Sequence, residues 1–111
     1  MAKYTKVGRT VTIYAYVSIT AKDAAMAGNV RIGGLPYASD GTANALQALA
    51  LGDFQGVTFG ASKTQLLLRI PNNVTKINVY DGGSGLASAQ IPVSNINNAT
   101  YFVVGGTYQT A

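Results

Sequence analysis

From residue 10 to residue 20 the chain alternates strictly, Val11, Ile13, Ala15, Val17 and Ile19 being separated by Thr10, Thr12, Tyr14, Tyr16, Ser18 and Thr20. A period of two sends successive side chains to opposite faces of a strand, so this stretch predicts a long strand with one side on a core and the other in solvent. A second strand fits residues 29–32, with Val30 and Ile32 inward, stopped by Gly33, Gly34 and Pro36. Residues 38–44 read as a loop with its turn at Asp40-Gly41. Residues 43–51 are ambiguous. Their Ala and Leu content favours helix, and Leu46, Leu49 and Ala50 fall at helical spacing, but Gly52-Asp53 follows too soon for a long one. A short strand or a single helical turn is expected there.

Further strands are expected at residues 57–59, 65–70, 74–80, 86–91 and 101–104, separated by segments containing Gly, Pro, Asn or Asp: residues 60–62, 71–73, 81–85 and 95–98. Pro71-Asn72-Asn73 is short enough to join its neighbours as a tight hairpin. Strands punctuated in this way predict an all-β fold, a jelly-roll-like β-sandwich of about eight short antiparallel strands. No internal repeat, low-complexity segment or linker divides the chain, so residues 1–111 are expected to form one domain.

Composition adds one point. Apolar residues reach 48% while charged residues reach only 11%, against a usual charged share of about 25%. So few charges cover a free monomer poorly, and part of the surface is expected to be covered by other subunits. The net charge of +4 includes one local grouping, Lys3, Lys6 and Arg9. Residues three apart on an extended chain point to alternating faces, which makes no stripe for phosphates, and no nucleic-acid partner is expected. With no cysteine there is no disulfide or thiolate metal site. No apolar run approaches the roughly 18 residues of a membrane helix, so no membrane partner is expected. Ala25-Met26-Ala27 resembles a signal-peptide cleavage site, but the alternation upstream of it is not a uniformly apolar segment.

The chain also lacks His and Glu, which removes most general bases that work near neutral pH. Its carboxylates are Asp23, Asp40, Asp53 and Asp81. Asp40 and Asp81 precede Gly and Asp53 follows one, so turn formation accounts for these three. Gly82-Gly83-Ser84-Gly85 reads as a hairpin loop, since no Gly-Lys-Ser/Thr follows it. Asn73-Val74-Thr75 and Asn98-Ala99-Thr100 match a glycosylation sequon that arises readily in Asn- and Thr-rich chains. No catalytic, cofactor or metal residue is expected, and the chain is read as a non-enzyme. The side chain that stands out is Tyr, with seven copies. Tyr14 and Tyr16 lie on the polar face of the long strand, where an amphipathic ring serves an interface or stacks on a sugar, and Tyr37 and Tyr80 join them as candidate contacts.

Three stretches carry a resemblance: Tyr4-Thr5-Lys6-Val7-Gly8-Arg9-Thr10-Val11-Thr12, then Gly28-Asn29-Val30-Arg31-Ile32-Gly33-Gly34-Leu35-Pro36-Tyr37, then Gly105-Gly106-Thr107-Tyr108. In order and spacing they resemble the small β-sandwich domain of tailed-bacteriophage proteins, found at the C-terminal tips of tail fibres and tailspikes and, in related trimeric form, on capsids. The resemblance implies a homotrimer in which Gly8 and Arg9 turn into the long strand. Gly34, Leu35 and Pro36 would close the second strand, with Leu35 buried and Tyr37 as the aromatic after Pro. It supplies no catalytic residue and no cofactor. The matching pattern begins at Tyr4, with no shaft ahead of it, so a complete small protein is expected rather than an excised tip. The expected function is that of a virion structural protein, assembled in the host bacterial cytoplasm: a trimeric capsid decoration (cement) protein bound to the major capsid protein or another virion protein. The alternative is a tail-fibre or tailspike tip that binds host surface carbohydrate.

Overall fold

The computed structural model describes residues 2–19, 27–43 and 46–110, and these are all-β. The strands are β1 (Ala2–Val7), β2 (Thr10–Ser18), β3 (Arg31–Ile32), β4 (Gln47–Val57), β5 (Gln65–Ile70), β6 (Ile77–Gly83), β7 (Leu86–Gln90) and β8 (Ile96–Gln109), with one 3-10 turn at Val93–Asn95. Hydrogen bonding joins them antiparallel in one path, β1-β2-β8-β4-β5-β6-β3, and β7 also pairs with β6.

The path turns at β4. Its first residues, Gln47, Ala48 and Leu49, pair with β5, and the rest, from Ala50, pairs with β8. The sheet thereby curls around one apolar core, to which Val11, Ile13, Phe102, Val104 and Tyr108 contribute from β2 and β8, and Leu66, Leu68, Ile70, Ile77 and Val79 from β5 and β6. In β2 the alternation has the expected sense. Val11 and Ile13 are buried, Ala15, Val17 and Ile19 are partly covered, and Thr12, Tyr14, Tyr16 and Ser18 are exposed. Thr20 lies outside the described residues, as do Asp23, Ala25, Met26 and Asn44. Val30 and Leu35 are buried as expected. Gly8 and Arg9 form the two-residue turn between β1 and β2, where Val7 pairs with Thr10.

Several boundaries differ from the sequence reading. Residues 47–51 are strand, with neither a helical turn nor a break at Gly52-Asp53. β4 runs on to Val57 through register shifts between Leu51 and Asp53 and between Gln55 and Val57. A bulge adds a residue without ending the pairing, which is how Gly52 and Gly56 stay inside a strand. Thr100 fixes the second irregularity: its buried hydroxyl donates to the Gly56 carbonyl (2.7 Å) and accepts the Asn97 N–H (2.8 Å). Of the expected strand at 57–59 only Val57 is strand, as the last residue of β4, and residues 58–59 lie outside any strand.

The tight hairpin at Pro71-Asn72-Asn73 is also corrected, because β6 starts only at Ile77. The backbone of residues 71–75 is engaged elsewhere. Buried Ser39 donates its hydroxyl to the Pro71 carbonyl (2.5 Å), accepts the Val74 N–H (3.2 Å) and sends its own N–H to the Val74 carbonyl (2.9 Å), and Leu35 N–H reaches the Thr75 carbonyl (3.1 Å). At its other end β6 continues through Asp81, Gly82 and Gly83, so Asp81 is a strand residue and not a turn residue, and the turn is Ser84-Gly85. β8 extends well beyond residues 101–104 in both directions, taking in 96–98 and Gly105 to Gln109, because it has partners on both edges, β2 and β4.

Candidate functional site

Cross-strand register defines the outer face of β1, β2, β8 and β4. Lys3, Thr5 and Val7 of β1 lie beside Tyr14, Thr12 and Thr10 of β2, which in turn lie beside Gly105, Thr107 and Gln109 of β8. Farther along, Tyr16 pairs with Val103 and Ser18 with Tyr101, and β4 adds Ala50, Asp53 and Gln55. Among these residues only Lys3 and Asp53 carry charge. Val7 is 74% exposed, Tyr14 50%, Tyr16 47% and Val103 37%.

The face is ordered by contacts between its own side chains. The rings of Tyr16 and Tyr101 lie 5.7 Å apart at 34°, and the Tyr101 hydroxyl donates to Asp53 Oδ2 at 3.0 Å. That hydrogen bond to a carboxylate, with partial burial and the negative charge behind it, raises the Tyr101 phenol above its ordinary pKa. The hydroxyls of Thr12 and Thr107 are 3.2 Å apart, and Gln109 Nε2 donates to Thr10 Oγ1 at 3.1 Å.

Of the four tyrosines expected as contacts, the structure brings Tyr14 and Tyr16 together and separates the other two from them. Tyr37 lies beyond the inner side of β1. Its ring meets Tyr4 edge-on at 5.8 Å, Lys6 Nζ stands 5.0 Å above it, and its backbone is held by Tyr108, whose hydroxyl donates to the Tyr37 carbonyl (2.8 Å) and accepts the Tyr37 N–H (3.3 Å). The hydrogen bond between Tyr4 and Tyr37 raises the Tyr4 phenol. Tyr80 is a correction: it is buried, with Arg69 4.3 Å above its ring and Arg69 Nη2 donating to its hydroxyl, so its surface is already occupied from within the chain. Tyr101 was not among the expected contacts. Its place opposite Ser18 follows only from the pairing of β8 with β2.

The carboxylates are dispersed. Asp40 does make a turn: Oδ1 accepts the N–H and hydroxyl of Thr42 (2.9 and 2.7 Å), and Oδ2 pairs with Arg9 at 2.8 Å, which together lower its pKa. Asp53 sits at a bulge of β4 and not in a turn. Asp81 is buried in β6, with Oδ2 accepting the Gly60 N–H (2.9 Å) and Oδ1 3.6 Å from Lys63 Nζ. Among the described residues there is no group of three or more His, Cys, Asp or Glu placed to hold a metal ion, and no helix long and apolar enough to cross a membrane. No known protein-family model, curated protein or solved structure matches the chain.

Proposed function

We propose that the chain is a non-enzymatic structural subunit of a bacteriophage virion, a trimeric decoration protein that adds to the capsid shell through contacts with the major capsid protein or another virion protein. The observation that carries this reading is the outer face of β1, β2, β8 and β4, where exposed Tyr14, Tyr16, Val7 and Val103 stand among neutral Thr, Gln and Ala. A broad sheet face of aromatic and β-branched side chains with little charge has the composition of an interface core. The resemblance to phage sandwich domains and the 11% charge support the same reading. In a closed trimer this face meets a different surface of the next copy, since a three-fold ring is built from heterologous contacts.

A tail-fibre tip that binds carbohydrate is the second reading, favoured by the Tyr16 and Tyr101 rings beside the Asp53 carboxylate. Rings that stack on the C–H face of a sugar and a carboxylate that accepts its hydroxyls would act together there.

Sedimentation velocity at micromolar concentration, in low and high salt, tests the first reading. A particle of three times 11.5 kDa that survives high salt is expected, and Tyr16→Lys with Val103→Lys is expected to dissociate it. A monomer in both buffers refutes the trimer, and binding of that monomer to a glycan array supports the tip. Quantifying the chain in purified virions then separates a decoration protein, present in hundreds of copies, from a tail part present in a few or a few dozen.

A further inference from the structure

The sheet path has two ends, β1 and β3, and both border the same apolar hollow. A cavity of about 250 Å³ is lined by Tyr4 of β1, Ile13 and Val17 of the β2 stretch, Ile32 of β3, and Leu35 and Pro36 beyond it. A second cavity, of about 420 Å³, continues past Ile19, Val30 and Phe102. Above this hollow β1 pairs with β2 on one edge, and among the described residues no strand pairs with its other edge. All six β1 residues are exposed. An open edge presents a row of backbone donors and acceptors ready for another strand.

The charge around this opening is of one sign. Lys3 borders the first cavity and Arg31 the second, Lys6 stands over Tyr37, and Lys76 precedes the lining residue Ile77; all four are exposed. The described carboxylates are engaged elsewhere, Asp40 by Arg9, Asp53 by Tyr101 and Asp81 by Lys63. Lysines on an edge strand discourage pairing with a second copy, whose own β1 brings Lys against Lys. The four aspartates at 23, 40, 53 and 81 are too far apart for any strand of a second copy to bring more than one of them.

We infer that the free edge of β1 takes an added β-strand from a different protein, an extended acidic segment whose alternate apolar side chains enter the hollow, while the carboxylates between them lie on the outer face beside Lys3 and those at its ends reach Lys6, Arg31 and Lys76 around the opening. Backbone pairing supplies the register, the hollow selects apolar residues at every second position, and the four basic side chains around the opening favour an acidic segment over a basic one. The inference needs neither the trimer nor the virion.

The test uses three fluorescent peptides of about six to nine residues, the length β1 can pair: Val alternating with Glu, Val alternating with Lys, and Ser alternating with Glu. Anisotropy titration of the whole chain is expected to show the Val/Glu peptide binding at least tenfold tighter than the other two. Amide exchange of residues 2–7 is expected to slow in that complex. Lys3→Glu with Lys6→Glu, exposed positions whose replacement leaves the core intact, is expected to lower affinity tenfold or more with an unchanged thermal melt. Equal binding of all three peptides, retained binding by the double variant, or unslowed exchange in β1 overturns the inference. Tighter binding of a uridine oligonucleotide at the same edge overturns it in favour of nucleic acid.

Discussion

Replacing Asp81 separates two accounts of one residue. If the aspartate only shapes a turn before Gly82, Asp81→Asn leaves stability within about 0.5 kcal/mol of the parent, as at an ordinary surface site. The structure assigns it more. Its side chain is 6% exposed and that of Lys63 12% exposed, so removing the carboxylate strands an ammonium that water reaches poorly. Breaking a buried pair from one side costs about 3–5 kcal/mol. Two features set where Asp81 falls. Lys63 Nζ keeps the carbonyls of Ala87 (2.6 Å) and Asp81 (3.5 Å) as acceptors, which softens the loss, and Asn keeps an oxygen for the Gly60 N–H, whereas Ala removes that too. About 2–3 kcal/mol is therefore expected for Asp81→Asn and about 3–5 for Asp81→Ala. Either is a large share of the roughly 5–15 kcal/mol that holds a domain of this size. Urea denaturation at neutral pH with unchanged m-values is the assay. Lys63→Met in the Asp81→Asn background is expected to recover most of the loss, because no buried charge is then left alone. An Asp81→Asn protein with the parent's midpoint refutes the buried-pair account.

Ile13→Ala removes a side chain that is 7% exposed in the core and is expected to cost about 2–5 kcal/mol by urea denaturation. Gly56→Ala is expected to cost more than about 1 kcal/mol, since Gly56 has φ +77 and a Cβ there would lie 2.8 Å from Asn97 Oδ1 and 2.9 Å from Thr100 Cα. The depressed Asp40 pKa contributes stability that is present above the ordinary value of 3.8 and lost as pH falls through the folded value. Asp40→Ala is therefore expected to lower the urea midpoint near neutrality and to match the parent in strong acid. Alkaline absorbance titration is expected to show Tyr101 and Tyr108 ionising above 10.0, with Asp53→Ala lowering Tyr101 and leaving Tyr108, which burial raises, unchanged. Raised phenols favour the fold below the unfolded value and lose that contribution as pH climbs through the folded one.

β2 was legible because one face turns inward along its whole length, onto the core at Val11 and Ile13 and over the hollow at Ala15 and Val17, so the period of two is written into its residues. β5 was legible between its flanking turn residues. β4 was not, because two register shifts break its period and place Gly52 and Gly56, residues that ordinarily end strands, inside it. The start of β6 was hidden for another reason: Ser39, remote in sequence, captures the backbone of Val74. Candidate contacts divide in the same way. Tyr14 and Tyr16 are set by local alternation, whereas Tyr80 is covered by Arg69 from the neighbouring strand, and Tyr101 joins the outer face through pairing across most of the chain. Asp81 looked like a turn residue because Asp-Gly is turn chemistry, and its partner Lys63 is distant in sequence.

Placed on the fold, the low charge and the net +4 of the chain separate into two surfaces of different character. Arg9 and Lys63 are paired with Asp40 and Asp81, and Arg69 lies on Tyr80, which leaves Lys3, Lys6, Arg31 and Lys76 without a carboxylate among the described residues. These four lie around the open end of the sheet path, and Lys3, which stands at its border, is with Asp53 the only charge on the outer face of β1, β2, β8 and β4. Salt acts on the two in opposite senses. Screening weakens attraction between exposed charges over about 8–10 Å at physiological strength, whereas association through apolar area is left intact or strengthened. A single salt titration therefore distinguishes the two contacts in one sample: the oligomer is expected to persist while an acidic strand bound at β1 is released. If both dissociate together, the outer face is not the apolar contact its side chains describe.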